Sequence, residues 1–145
     1  MIAFLVFADH RGYPDRSITS CGTVPPWRIE YLVSPPFSHL SADFVGALPS
    51  QLGDTSLISG LLVASAGAAG ITTIGAPVVR KLPGDAISVV LLVNDGHMTV
   101  HTFPPHHLLL LDILTATPHD SQKALDVFKR RLTASEVRCE TRARG

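Results

Sequence analysis

Two stretches of the chain have the hydrophobic and polar patterns of helices. Residues 55–68 are rich in leucine and alanine and follow Asp54, a residue type that favours the start of a helix. The second stretch begins at Asp120-Ser121 and extends to about residue 132. One face of this stretch is apolar and consists of Ala124, Leu125, Phe128 and Leu132. The pattern therefore predicts two helices.

Between and after these helices, short apolar or alternating segments are typical of β-strands. Five segments cover residues 71–82, 86–93, 97–103, 108–115 and 137–142, and two more lie at residues 1–8 and 27–34. Pro83-Gly84 and Asn94-Asp95-Gly96 separate three of the segments with turn-forming residues. Strands grouped around two helices predict an α+β fold, in which an antiparallel sheet carries both helices on one face as a two-layer sandwich.

The N-terminal region differs in composition from the remainder. Residues 9–26 are rich in Gly, Pro, Ser and Thr, which is typical of a loop or linker. We therefore expect residues 1–26 to form a strand-and-loop extension and residues 27–145 to form one domain. A chain of 145 residues with 46% hydrophobic content is long enough to bury a core.

Charge and cysteine content narrow the classes of partner. Twelve basic and twelve acidic residues cancel, so nothing favours binding to nucleic acid or to an anionic membrane. Zero net charge and high apolar content favour self-association, and we expect a homodimer. The two cysteines, Cys21 and Cys139, form no disulfide framework or zinc spacing. With no signal or membrane-spanning pattern, the sequence predicts a cytoplasmic protein.

Candidate reactive side chains cluster around Gly96. Asp95-Gly96 between two apolar strands is a favoured hairpin turn, and Asp95 is also a candidate acid or base. His97 and His101 follow on the next strand. Four residues of strand separate these histidines by about 13 Å, which is too far for one metal ion. We therefore predict no metal site.

The segment Asp95-Gly96-His97-Met98-Thr99-Val100-His101-Thr102-Phe103-Pro104 resembles a pattern of the small prokaryotic S-adenosylmethionine (AdoMet) decarboxylases. That family reads Glu-Ser-His, three further residues and His-Thr-Trp-Pro-Glu. Residues 111–117 resemble the family's Val-Asp-Ile-Phe-Thr-Cys-Gly, and Ser88 falls where the family has a processing serine. The resemblance extends over about residues 27–137. It implies the two-layer fold and a dimer whose sites lie near the subunit contact.

Three reactive positions of the family differ in this sequence. The family's serine, which cuts its own chain and becomes a pyruvoyl cofactor, is Gly96 here. The position of its proton-donating cysteine is Ala116, and that of its final glutamate is Pro105. Glycine has neither the attacking hydroxyl nor the Cβ that the elimination requires. We therefore expect an intact chain with no cofactor.

The resemblance and the turn chemistry together give a set of candidate site residues. Asp95 and His101 are the candidate catalytic side chains, as base or orienting groups, with Ser88 in support. The candidate substrate-binding residues are Gly96, His97, Phe103, Leu82 and Thr115. The implied ligand is AdoMet or its product methylthioadenosine.

Three functions are compatible with this pattern. The first is a cofactor-free AdoMet lyase that releases methylthioadenosine by intramolecular cyclisation, which yields homoserine lactone or 1-aminocyclopropane-1-carboxylate. The second is a non-catalytic paralogue that regulates an active AdoMet decarboxylase. The third is residual AdoMet decarboxylation in polyamine synthesis, which would have to proceed without an electron sink. The presence of Ser88 and His101 favours the first function.

Overall fold

A computed structural model describes residues 36–145. The chain divides into two units, Met1–Glu30 and Tyr31–Gly145. The strands expected at residues 1–8 and 27–34, and the boundary expected between residues 26 and 27, lie outside the described residues.

Six strands and three helices make up the described part of the chain. The strands are β1 (Phe37–Val45), β2 (Val78–Lys81), β3 (Ile87–Val93), β4 (Gly96–Phe103), β5 (Leu108–Ala116) and β6 (Glu136–Arg144). The helices are α1 (Pro49–Leu52), α2 (Thr55–Ala68) and α3 (Ser121–Arg131). The strands form one antiparallel sheet in the order β2-β3-β4-β5-β1-β6. The expected α+β fold is confirmed.

Local capping chemistry sets the starts of the two long helices. The Asp54 carboxylate accepts a hydrogen bond from the Leu57 amide at 3.0 Å. The Asp120 carboxylate accepts bonds from the amides of Gln122 and Lys123 at 3.1 and 3.4 Å. These contacts satisfy amides that have no partner inside the helix, and both predicted starts are confirmed. No helix within residues 36–145 is long and apolar enough to cross a membrane.

One face of the sheet is buried beneath α2 and α3. Every second side chain of the central strands is inaccessible to solvent, as Leu91, Val100 and Leu111 illustrate, because side chains alternate between the two faces of a strand. Phe44 of β1 meets Phe128 of α3 with ring centroids 6.1 Å apart. This contact joins the sheet to the helical layer.

The other face of the sheet, here called the open face, carries the alternate side chains of the same strands. Most are half-buried and mix polar with apolar character. They include His39, Ser88, Val90, His97, Thr99, His101, Phe103, Leu108, Leu110, Asp112 and Leu114. The candidate reactive residues therefore share their surface with leucines that the helices do not cover.

Two segments differ from the expectation. β1 is not among the predicted strands, although Leu40, Ala42 and Phe44 alternate with polar residues as in a strand with one buried face. The strand predicted at residues 71–82 is wrong for its first half, where only Thr73 forms an isolated bridge, to Val93. Gly75, with a φ of +76°, and Pro77, with no amide hydrogen, interrupt the strand ahead of β2.

Candidate functional site

A serine–histidine pair occupies one end of the open face. Ser88 of β3 lies directly opposite His101 of β4 in the strand register. The Ser88 Oγ and His101 Nδ1 atoms are 2.9 Å apart, and both residues are half-buried. Among residues 36–145, Ser88 is the hydrogen-bond partner of the His101 ring. If Nδ1 carries the hydrogen and donates it to Ser88, Nε2 can accept a proton from a ligand.

Two further candidate residues lie close to this pair in the strand register. Phe103 is two residues beyond His101 on the same face of β4 and lies opposite Leu108. Leu82 follows β2 at the corner that leads into β3, and 47% of it is exposed. Both residues are level with Ala86, on the same side of the pair, and their apolar surface there suits a ligand with an apolar or aromatic part.

The sequence did not single out Arg80, yet the fold places it at the same end. Arg80 of β2 lies opposite Ser88 in the register, and its side chain is exposed. Its guanidinium donates one hydrogen bond, of 2.9 Å, to the carbonyl of Val79. The alternation within β2 would have been the signal, but the overlong strand predicted there obscured it. Arg80 supplies a cation that can receive a carboxylate.

A second histidine pair lies at the other end of the open face. Asp95 occupies the turn between β3 and β4, and its Oδ2 is 3.3 Å from His119 Nε2. His119 belongs to the connection between β5 and α3. The sequence did not predict this contact, because a loop 24 residues away supplies the histidine. Asp95 thus has a histidine partner, but the partner is not His101.

Gly96 lies in the most crowded backbone position of this end. It opens β4 and pairs with Val93, so the turn consists of Asn94 and Asp95 alone. A Cβ built on Gly96 would collide with the backbone carbonyl of Leu114 and lie 2.9 Å from its carbonyl carbon. A serine at this position therefore requires a shift of the backbone. Gly96 therefore cannot form a pyruvoyl group, because it has neither a hydroxyl nor a Cβ, and the Leu114 backbone occupies the space that a Cβ would need.

The two remaining candidates, His97 and Thr115, lie at the Gly96 end but on opposite faces of the sheet. His97 is half-buried on the open face between Leu92 and Leu114. Ala116, at the position of the family's cysteine, is half-buried at the end of β5. Thr115 is fully buried on the helix-covered face, and within residues 36–145 its hydroxyl has no hydrogen-bond partner. The structure does not bring Thr115 to the surface that carries the others.

The centre of the open face holds another polar pair that the sequence did not indicate. His39 Nε2 of β1 lies 3.3 Å from Asp112 Oδ1 of β5. Both side chains are about one-third exposed, at 29% and 37%. Among residues 36–145, no group of three or more His, Cys, Asp or Glu side chains is arranged to hold a metal ion.

The two ends of the site are far apart within one chain. Five residues of β4 separate Gly96 from His101, which corresponds to about 17 Å along an extended strand. Asp95 and His101 therefore cannot both contact one reacting atom from a single copy of the sheet.

Comparison with known proteins identifies the family. Residues 38–145 match the family model described as S-adenosylmethionine decarboxylase. An S-adenosylmethionine decarboxylase proenzyme of Clostridium botulinum is 31% identical over 108 residues, which cover 74% of this chain and 92% of that protein. The corresponding proenzyme of Thermotoga petrophila is 29% identical over 108 residues, with coverage of 74% and 82%.

A solved structure supports the same assignment at the level of the fold. The crystal structure of the adenosylmethionine decarboxylase of Aquifex aeolicus superposes with a TM-score of 0.70 at 23% identity. The match covers 77% of this chain and 92% of that one. By family model and fold together, the chain belongs to the S-adenosylmethionine decarboxylase family.

Proposed function

We propose that this protein binds AdoMet on the open face and releases methylthioadenosine without a pyruvoyl group. The observation that carries the proposal is the Ser88–His101 hydrogen bond, which lies half-buried on the open face while Gly96 lacks a hydroxyl. A reaction that needs no electron sink suits a site that retains its polar pair and has no residue able to form the cofactor.

The chemistry can come from AdoMet itself, because the carbon next to its sulfonium is an electrophile. In the lactone route, a carboxylate oxygen of AdoMet attacks Cγ and the Cγ–S bond breaks. Its electron pair stays on sulfur, and the products are homoserine lactone and methylthioadenosine. No proton has to move. Because attack joins an anion to a cation, an apolar and water-poor surface favours the step.

The cyclopropane route differs in requiring a base. The base removes the Cα proton, the resulting carbanion attacks Cγ, and the same Cγ–S bond breaks to give 1-aminocyclopropane-1-carboxylate and methylthioadenosine. Without an electron sink the carbanion is poorly stabilised. The lactone route therefore suits the residues present better, because it needs neither a base nor an electron sink.

Each candidate residue has a distinct role in this proposal. In the lactone route, the His101 ring orients the amino acid end of AdoMet through Nε2, and in the cyclopropane route Nε2 can accept the Cα proton. Ser88 fixes the tautomer and orientation of the ring. Arg80 receives the carboxylate, and Phe103 offers an aromatic surface to the adenine. Asp95 attracts the cationic groups of the ligand. Holding the folded, reactive conformer of AdoMet supplies much of the rate.

The same proposal includes a homodimer in contact through the open face. Half-buried leucines such as Leu108, Leu110 and Leu114 line that face, and uncovered apolar surface of this kind marks interaction sites. A two-fold axis perpendicular to β4 would place the Gly96 end of one copy over the His101 end of the other. Asp95 of one copy and His101 of the other could then act on one ligand, whereas within one copy the two ends of β4 are about 17 Å apart.

Product analysis tests the proposed reaction directly. The full chain is incubated with AdoMet, and the products are separated by liquid chromatography with mass detection. Methylthioadenosine together with homoserine lactone or the cyclopropane acid supports the proposal. Decarboxylated AdoMet indicates the residual decarboxylase instead. No turnover, with AdoMet still bound in calorimetry, indicates the non-catalytic paralogue, whereas no binding at millimolar ligand removes the AdoMet proposal altogether.

A further inference from the structure

The β6 strand forms an edge of the described sheet and carries an ordered row of charges. It spans nine residues, is exposed along almost its whole length, and pairs with β1 on one side. Charged side chains on an edge strand usually oppose pairing with another chain. In β6, however, the order of the signs makes one particular pairing attractive.

The charges alternate over the first four charged positions on one face of β6. Glu136, Arg138, Glu140 and Arg142 occupy every second position, and Arg144 follows on the same face at the end of the strand, so these side chains project to the same side of the sheet. Arg138 contacts both carboxylate oxygens of Glu136 at 2.7 and 2.8 Å, and Arg142 contacts those of Glu140 at 2.7 and 3.0 Å. These contacts lower the pKa of both carboxyl groups, so the row stays charged at neutral pH.

An antiparallel pairing of two β6 strands can be examined register by register. Facing residues of adjacent strands project their side chains to the same face of a sheet. A two-fold axis between two antiparallel copies of β6 must therefore lie midway between two copies of the same residue, which is called the axis residue here. With the axis at Cys139, Glu136 faces Arg142 of the second copy, and Arg138 faces its Glu140. By symmetry the four residues Glu136, Arg138, Glu140 and Arg142 then all face an opposite charge, and Arg144 extends beyond the overlap of the two strands.

The neighbouring registers lose this match. An axis at Arg138 places Arg138 of one chain against Arg138 of the second, and Glu136 against Glu140. An axis at Glu140 places Glu136 against Arg144, but it also places Glu140 against Glu140 of the second copy and Arg138 against Arg142. An axis at position 141 combines the opposite pair Glu140–Arg142 with the like pair Arg138–Arg144, and one at position 137 overlaps the strands over residues 136–138 alone. Opposite charges facing one another stabilise a strand pair, and like charges destabilise it.

We propose that β6 pairs antiparallel with β6 of a second copy about a two-fold axis at Cys139. The pairing joins two six-stranded sheets edge to edge through a strand that, among residues 36–145, pairs with β1 alone. This contact is distinct from the open-face contact and does not depend on AdoMet binding. A protein that uses both contacts assembles beyond a dimer.

The cysteine at the axis reports the register. Cys139 is exposed and reduced. Facing residues in an antiparallel pair have Cβ atoms about 4.5–5.5 Å apart, which is close to the separation of about 3.5–4.5 Å that a disulfide requires. An added oxidant would take two electrons and two protons from the facing thiols and leave one intermolecular sulfur–sulfur bond. Other registers move the two Cys139 residues apart.

The experiment uses the full chain with Cys21→Ser, which leaves Cys139 as its single cysteine. Mild oxidation with copper–phenanthroline is followed over time on non-reducing gels. We expect a covalent dimer. Arg138→Glu should slow its formation on the order of tenfold, because the variant faces two symmetric glutamate pairs. Glu140→Arg should act in the same way, through two facing arginine pairs.

The double variant Arg138→Glu/Glu140→Arg restores opposite charges in the same register and should recover the crosslinking rate. Arg130→Glu, the same charge change on the exposed side of α3, is the matched control and should leave the rate unchanged. Circular dichroism verifies the fold of every variant. Failure of the Cys21→Ser protein to crosslink overturns the proposal. So does a double variant as slow as its single parents, or Arg138→Glu and Arg130→Glu proteins that crosslink equally fast.

Discussion

The two histidine pairs at opposite ends of β4 have different surroundings. Ser88 and His101 lie on adjacent paired strands, half-buried and 2.9 Å apart. Asp95 and His119 lie on a turn and a loop, 3.3 Å apart, and 44% of the Asp95 side chain is exposed. The first pair is held by the sheet and shielded from water, whereas the second is held by two connections and screened by solvent.

The motif resemblance implies that the differences from the family lie at the Gly96 end, where glycine and alanine stand in place of a serine and a cysteine. The Leu114 backbone there leaves no room for a Cβ on Gly96. The His101 end has a polar pair in the register of the sheet. If the protein turns AdoMet over, substitutions at the two ends should therefore have unequal effects.

The largest effect is expected from His101→Ala. In the cyclopropane route His101 is the positioned base, and methylthioadenosine release should fall about 10²–10⁴-fold. In the lactone route, where no proton moves, the loss should be about 10- to 150-fold, which corresponds to about 1.5–3 kcal/mol for a hydrogen bond to a charged group. The thermal midpoint should change little in either case. His106→Ala is the matched control, because His106 is exposed in the turn after β4. His107 is unsuitable as a control, since its Nδ1 lies 3.1 Å from the Ala47 carbonyl oxygen. Wild-type turnover in a folded His101→Ala protein would remove His101 from the site.

Asp95→Asn should produce the next largest effect, a loss of about 10²-fold in turnover. The substitution keeps the shape of the side chain and removes its charge. His119→Ala is the control, because it removes the partner of Asp95 and leaves the carboxylate. An exposed pair of this kind contributes about 0.2–1 kcal/mol, so the control should lose less than about fivefold. Equal losses in the two variants would show that the pair, and not the carboxylate, matters.

Gly96→Ser tests whether restoring the family's residue restores its chemistry. The new Cβ meets the Leu114 backbone, and we expect a destabilisation of about 1–3 kcal/mol in chemical denaturation. Gly60→Ala is the control, since a Cβ there meets nothing within 4 Å, and it should be neutral or stabilising by up to about 1 kcal/mol. Intact-mass spectrometry should show one chain for the wild type, of 15.5 kDa, and for Gly96→Ser. Two fragments split between residues 95 and 96, in the wild type or in Gly96→Ser, would contradict the expectation that the chain stays intact.

The smallest effect is expected from Ser88→Ala. Serine acts through the ring of His101, and a single hydrogen bond contributes about 0.5–1.5 kcal/mol. Turnover should therefore fall by about twofold to tenfold. A Ser88→Thr protein, which retains the hydroxyl, should recover the wild-type rate. A loss as large as that of His101→Ala would instead make Ser88 a group that contacts the ligand itself.

Much of the fold followed from patterns within a few residues. Asp54 and Asp120 marked both long helices, because a carboxylate before an apolar helical run caps free amides. The alternation in β3, β4 and β5 indicated the sheet. The placement of Thr115 was also available from this alternation, since it has the same parity as the buried Leu111 and Ile113. The family motif drew attention to its residue type and away from its face.

The sequence by itself determined the family, the two-layer fold and the chemistry that Gly96 cannot perform, because these depend on residue identity and local periodicity. The tertiary structure alone decided which groups meet. It paired Asp95 with His119 across a loop, brought Arg80 opposite Ser88, and closed the Leu114 carbonyl over Gly96. Such contacts depend on strand register and loop path, which long-range packing fixes and no short stretch of sequence specifies.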